Sequence, residues 1–400
     1  MLVVLATHPV QYYVPIYRAV ESQFGIPITA IYGSDCGIAS YRDREFGTTF
    51  AWNTDLLSGY RAVFLSRSAN GGAVDPERMG ARGMGNALAA AAPRAVLLTG
   101  YSPRFHQMAF YHAWRAGVPI LFRGDTTDHA CRRSRAKAWM RDLALGSIYR
   151  RCATLLYVGR HSRQHLQRLA PPKARLVFSP HCVDASTFEC DEAARDRLRA
   201  GTRQSLEVTE EESVLLFSGK LVPRKGPELL ARAVAGLPAS VREHVALVFL
   251  GDGELRASLE VMARRLGLHK VCFLGFRNQT ELSRYYHTAD LLVLPSAHSE
   301  TWGLVVNEAL HHGVPCVVSK AVGCAPDLVE PGVTGEVCET GSTPSLTAAL
   351  LRALAMVNRG DVRNACRARV ADYSVERAAR GIAEAYDAVA RTGRRTAAVE

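Results

Sequence analysis

No stretch of this chain approaches the roughly 20 consecutive apolar residues a membrane-spanning helix needs. The alanine-rich segment 87–98 comes nearest and is broken by Pro93 and Arg94. The start, MLVVLATHP, has no basic leader and an apolar run of about strand length, so no export signal is read there and a cytoplasmic protein is expected. Ten cysteines are scattered without a CxxC pair or a His/Cys cluster at zinc spacing, which leaves them as small buried hydrophobes. There is no GxGxxG after the first strand, no GxxxxGK[ST] phosphate loop and no GxSxG elbow. Asp-x-Asp is also missing, which argues against a divalent cation held by paired aspartates.

What is present is an ordinary globular composition, 48% hydrophobic and 22% charged over 400 residues, enough for two domains of nearly 200 residues. Net charge is +11, and its location is more informative than its size. Arg123 to Arg175 holds thirteen Arg and Lys against three Asp, nearly the whole excess. Such a field favours anionic partners, whereas an arginine-biased composition would give the same count as a merely solvated surface.

Short β-branched runs alternate with helical stretches, the pattern of parallel sheets with crossover helices. Strands are read at 2–6, 28–33, 62–65, 95–100, 119–124, 154–159 and 174–179, then at 213–219, 245–251, 271–276, 291–296 and 315–320. They are apolar without alternation, as expected of strands covered on both faces. The division falls between a first unit, 1–180, and a second, 181–373. A last helix over 374–392 shows one apolar face, Val375, Ala378, Ala379, Ile382, Ala385, Tyr386 and Val389.

Three constellations could carry chemistry. In ETWGLVVNE (300–308), Gly303 turns the chain into a helix expected to reach about His312, and unpaired amides at its start suit a phosphate. Glu308 lies one and a half turns in and could accept two hydrogen bonds from a vicinal diol; alternatively, Glu300 is a helix-start carboxylate and Glu308 a surface one. In FSGKLVPRKG (217–226), Lys220 and Lys225 are two of only six lysines, able to neutralise a diphosphate without a metal or simply forming a basic loop. FLGDGEL (249–255) is a generic glycine turn by itself.

As an ordered set, these stretches resemble the retaining glycosyltransferases of family 4 (glycosyl transferases group 1), of the GT-B fold. VCFLGFRNQTELSRYYHTADLLVLPS, the Glu-x7-Glu pair Glu300 and Glu308, and VGCAPDLVEPGVTGEV (322–337) extend the similarity through most of the second half. The resemblance implies an α/β architecture, two Rossmann-like doubly wound domains facing across a deep cleft, with the last helix folded back on the first. It implies that Glu300 meets donor-sugar hydroxyls and Glu308 the ribose. Lys220 and Lys225 would hold the diphosphate beside the glycine turns at Gly219 and Gly251. Gly303, Leu304 and Val305 would support the phosphates, and Phe276 and Arg277 the base.

The first half matches more loosely. Where the family often has Gly-Gly after the first strand, this chain has Thr7-His8-Pro9-Val10-Gln11, making His8 and Gln11 candidates; where many members have a histidine after a later strand, it has Arg123-Gly124-Asp125, with His129 beyond. Arg123 and Asp125 are candidates for the reacting centre, with a salt bridge or helix cap as the structural alternative. No cofactor is expected beyond a donor, a UDP- or GDP-sugar, and no metal. The acceptor is a glycan, glycolipid or small molecule. In 132–151, Arg133, Lys137 and Arg141 fall on one side of a helix, with Trp139, Met140 and Leu143 on another. That suits contact with the anionic inner membrane face; packing of Trp139 and Leu143 into the core is the alternative. Rival functions are a nucleotide-sugar 2-epimerase of the same fold and a nucleic-acid-binding protein resting only on the basic segment.

Overall fold

The computed structural model describes residues 1–38, 41–42, 49–50, 54–67, 80–128, 134–189, 191–357 and 359–396. Fifteen strands are labelled in chain order. The first sheet takes β1 (Leu2–Ala6), β2 (Ile28–Tyr32), β5 (Arg61–Phe64), β6 (Ala95–Leu98), β7 (Ile120–Gly124), β8 (Thr154–Tyr157) and β9 (Leu176–Phe178); β3 (Tyr41–Arg42) and β4 (Thr49–Phe50) pair as a separate hairpin. The second takes β10 (Ser213–Ser218), β11 (Val245–Leu250), β12 (Lys270–Gly275), β13 (Leu291–Leu294), β14 (Cys316–Ser319) and β15 (Gly335–Cys338).

All pairings within the two large sheets are parallel. Strand order is β5-β2-β1-β6-β7-β8-β9 in the first and β12-β11-β10-β13-β14-β15 in the second. In each, the winding reverses beside the first strand of the sheet. The expected pair of doubly wound α/β sheets is therefore present, and a reversal point opens a crevice at the strands' carboxyl ends. The hairpin and β15 were not read from the sequence.

Strand alternation explains why both faces are covered. Leu2, Val4 and Ala6 enter one core with Ile16, Tyr17 and Val20, while Val3 and Leu5 enter another with Phe105, Ala109 and Phe122. The last helix, Val375–Thr396, buries Ala378, Ala379, Ile382, Ala385 and Tyr386 in the first of these cores. Its predicted apolar face thus meets the first sheet. Gly381 permits the approach, since a Cβ there would lie 2.1 Å from the Phe178 carbonyl oxygen. The second sheet shares one large core across both faces, from Val214 and Phe217 to Leu346 and Val370. Of the cysteines described, six are buried and two partly so.

Candidate active site

The loops after β10 and β13 meet at the reversal point of the second sheet. β10 ends at Ser218, and Gly219 (φ 145°) turns the chain toward Lys220. A short 3₁₀ turn, Pro223–Lys225, follows, and Gly226 at φ 73° lies so close to Pro295 that a Cβ would be 2.6 Å from its carbonyl oxygen. Ala297 N–H donates to the Arg224 carbonyl at 2.8 Å. This loop-to-loop stitching brings Lys225 to the Glu300 carboxylate, where the two form an ion pair, and Ser296 Oγ donates to the same Glu300 oxygen at 3.1 Å.

Gly303 (φ 102°) starts the helix Leu304–His311, one residue shorter than expected. Glu308 on this helix is buried. Tyr286 OH donates to its Oε2 at 2.6 Å, and Tyr12 OH, from the first half, donates to its Oε1 at 3.3 Å. Burial pushes the Glu308 carboxyl up to about 7 against the pull of these two hydrogen bonds. Glu308 is thus no surface carboxylate. Gly323 closes the loop from the other side: its N–H donates to the Glu300 carbonyl at 3.0 Å, and a Cβ there would lie 1.9 Å from the Thr301 carbonyl oxygen.

On the facing edge, Asp125 follows β7. Thr301 Oγ1 donates to Asp125 Oδ2 at 2.7 Å, and His181 Nε2 stands 3.8 Å from the same oxygen. Desolvation opposes ionisation of Asp125, but His181 and Thr301 outweigh it and hold the carboxyl down at about 2. Burial lowers His181, whose ring stacks on Tyr13 at 6.1 Å and lies 5.7 Å from Trp302. Across the same seam, Gly159 packs on the Trp302 ring. Asp327 accepts from Arg160 N–H at 3.0 and 3.1 Å, capping the helix Arg160–Leu169.

The other candidates separate. Arg123 is buried, with Nε donating to Ser179 Oγ at 2.9 Å and a terminal nitrogen to the Pro180 carbonyl at 2.5 Å. Its guanidinium secures the chain leaving the first sheet. Burial, then His106, lowers His8 to about 4. Gln11 is buried, hydrogen-bonds Tyr12 through its side chain and, among the described residues, has no hydrogen-bond partner for Oε1. It borders a cavity of about 240 Å³ with Arg18, Asp184 and Gln279. Gly251 is required by packing, since a Cβ there would lie 2.0 Å from the Gly219 carbonyl oxygen. Phe276 and Arg277 follow edge strand β12, and Arg277 pairs with Glu281 at 3.6 Å. His129 and Arg133 lie outside the described residues. Tyr12, Tyr286 and His181 escaped the sequence reading as site residues. Their only sequence signal is position, beside Gln11, within the 271–296 stretch and at the junction of the two units.

The comparisons fit this geometry. Residues 199–371 match the family described as "Glycosyl transferases group 1". D-inositol 3-phosphate glycosyltransferase of Geodermatophilus obscurus is 34% identical over 230 residues, 55% of this chain and 49% of the relative. The chain spans about a third to a half of the length of the curated relatives it matches, 33%, 36% and 49% for three of them. Among solved structures, sucrose-phosphate synthase from Thermosynechococcus elongatus superposes with a TM-score of 0.72 at 17% identity, covering 98% of this chain and 100% of that one. Anabaena HepE in complex with UDP gives 0.73 at 17%, covering 97% and 100%. At that identity the likeness establishes the fold, that of GT-B glycosyltransferases.

Proposed function

We propose that this chain is a retaining glycosyltransferase of family 4 that moves a sugar from a UDP- or GDP-sugar to an acceptor hydroxyl without a metal. The observation carrying this reading is the convergence of Lys225, Glu300 and Glu308 at the reversal point of the second sheet, with Tyr12 reaching Glu308 from the other half. The match of 199–371 and the UDP-bound HepE support a nucleotide donor.

In this reading, 181–373 is the donor unit and 1–180, with the last helix, the acceptor unit. Glu308 takes the ribose diol, and Lys220 and Lys225 take the diphosphate with the amides of Gly303, Leu304 and Val305. The base lies toward Phe276 and Arg277, and Glu300 meets the donor-sugar hydroxyls while its ion pair orients Lys225. The acceptor hydroxyl attacks the anomeric carbon on the face the diphosphate leaves, and a departing phosphate oxygen takes its proton. Asp125, ionised and held by Thr301 and His181, is too weak a base for that proton at neutral pH and instead orients the acceptor edge. His8 and Gln11 border the donor from the first-strand loop, and Arg123 acts by fixing the edge on which Asp125 stands. The protein contributes orientation, charge neutralisation and exclusion of water. The acceptor is a glycan, glycolipid or small molecule, met in the cytoplasm or on the inner membrane face.

Donor consumption by Glu308→Ala and Lys225→Ala tests this. Loss of a charge-assisted contact in a dry site costs about 2–4 kcal/mol, so each variant should turn over roughly 30- to 1000-fold more slowly with its fold intact. The unaltered enzyme should keep its rate in EDTA. Normal turnover in either variant contradicts the assigned roles, and complete, reversible loss in EDTA contradicts the metal-free donor site.

A further inference from the structure

The helix Arg135–Tyr149 turns one face inward, and the residues it keeps there differ from those the sequence suggested. Leu145 and Tyr149 are buried in the first half's core. Arg141, expected on a cationic outer face, is turned in: its side chain is 13% exposed and pairs with Asp128 at 3.3 Å and Asp142 at 3.6 Å. Left outside are Trp139, Met140 and Leu143, at 65%, 57% and 52% exposed the three most exposed large apolar side chains among the described residues. At about 100° per residue these three share one outward face with Ala136. Exposed Arg135 and Lys137 flank it at one end and exposed Arg150 follows the other.

Arg151 stands over the Trp114 ring at 5.5 Å, which brings the exposed Trp114 beside this helix's carboxyl end. The aspartates of this basic segment are already engaged. Asp128 and Asp142 pair with Arg141 and Arg168, and Asp125 accepts from Thr301. The outer cations therefore face outward with no carboxylate of their own segment to answer them.

We infer that this face docks on an anionic membrane surface, with Trp139, Met140 and Leu143 entering the headgroup boundary and Arg135, Lys137 and Arg150 meeting lipid phosphates. Charge complementarity selects that occupant: a convex apolar strip ringed by cations matches a plane of negative headgroups above hydrocarbon. The helix belongs to the same half as Asp125, so docking holds the half that the proposed function gives the acceptor at the bilayer surface. The inference rests on the transferase reading only where it adds that the acceptor is presented from the membrane; the docking itself does not.

The test is flotation of the full chain with vesicles of phosphatidylglycerol and phosphatidylcholine in equal parts, against phosphatidylcholine alone. The unaltered protein should float with the anionic vesicles at low salt, be released at high salt, and ignore the neutral ones. Trp139→Ser with Met140→Ser and Leu143→Ser, and separately Arg135→Glu with Lys137→Glu, should each weaken binding at least tenfold. Because all five side chains are exposed, both variants should keep the unaltered melting temperature and its shift with UDP or GDP. Failure of the unaltered chain to float at low salt overturns the proposal, as does undiminished binding by the serine variant. Dimerisation that the serine variant abolishes, with no vesicle binding, assigns the patch to a second copy and likewise overturns it. Loss of donor turnover in Lys225→Ala with flotation intact keeps the two proposals separable.

Discussion

Glu308 sits where two hydroxyls and a shell of apolar residues compete over one proton. Its carboxyl, ordinarily near 4.5, is pushed by burial up to about 7. A pKa unit corresponds to about 1.4 kcal/mol, so ionising Glu308 in the folded chain forfeits about 3 kcal/mol. The sign follows from the raised value: nothing is lost below about pH 4, the loss grows as the unfolded carboxyl ionises first, and it is complete above pH 7. Glu308→Gln should therefore match the unaltered protein in urea denaturation at pH 4 and exceed it at pH 8. Equal stability at pH 8 contradicts the buried, proton-holding carboxyl. A diol that donates to the ionised form should also bind more tightly as pH rises from 6 to 8. Much of this was legible beforehand, because Glu300, Glu308 and the lysines sit in ordered motifs beside strand ends. Tyr12, Tyr286 and His181 were not, since only the fold brings residues so distant in sequence into contact. Gly251 illustrates the opposite limit: its motif pointed to a ligand, whereas the nearest constraint is a neighbouring carbonyl.

At the level of elements, strand positions were legible because buried parallel strands are short uninterrupted apolar runs, and every such run became a strand. β15 escaped because its residues, Gly335–Cys338, include a glycine and a glutamate. Helix faces were harder. Arg133, Lys137 and Arg141 share a side by arithmetic, but Asp128 and Asp142 draw Arg141 inward, and long-range pairing is invisible to periodicity. The last helix was legible as a helix because its apolar stripe, Val375 to Val389, spans about four turns. Gly381→Ala tests its seating. By helix propensity alone alanine would gain about 1 kcal/mol. The clash with the Phe178 carbonyl oxygen, which is backbone and yields little, should cost about 1–3 kcal/mol. The melting temperature should fall, and a rise would mean that the helix does not lie against β9.

Over the whole molecule, two sheets of the same winding face one another through their carboxyl edges, joined by the packing of Gly159 and His181 on Trp302 and by specific polar contacts. Tyr12 meets Glu308, Asp125 meets Thr301, and Asp327 caps Arg160–Leu169 while accepting from Tyr373 OH at 2.8 Å. The first two contacts lie at Glu308 and next to Glu300, and the third lies by the crossover that carries the chain back to the first sheet, beside a cavity of about 540 Å³. A donor bound between the edges would bridge both halves and stabilise them together. The most direct measurement is thus a thermal-shift series with UDP, GDP, ADP and dTDP on the unaltered chain, Lys225→Ala and Glu308→Ala. A ligand at 100 times its Kd adds about 2.7 kcal/mol to the folded state. UDP or GDP should raise the unaltered chain's melting temperature by several degrees and leave both variants nearly unmoved. No shift from any of the four at millimolar concentration, or a full shift in both variants, would contradict a diphosphate donor held by Lys225 and Glu308.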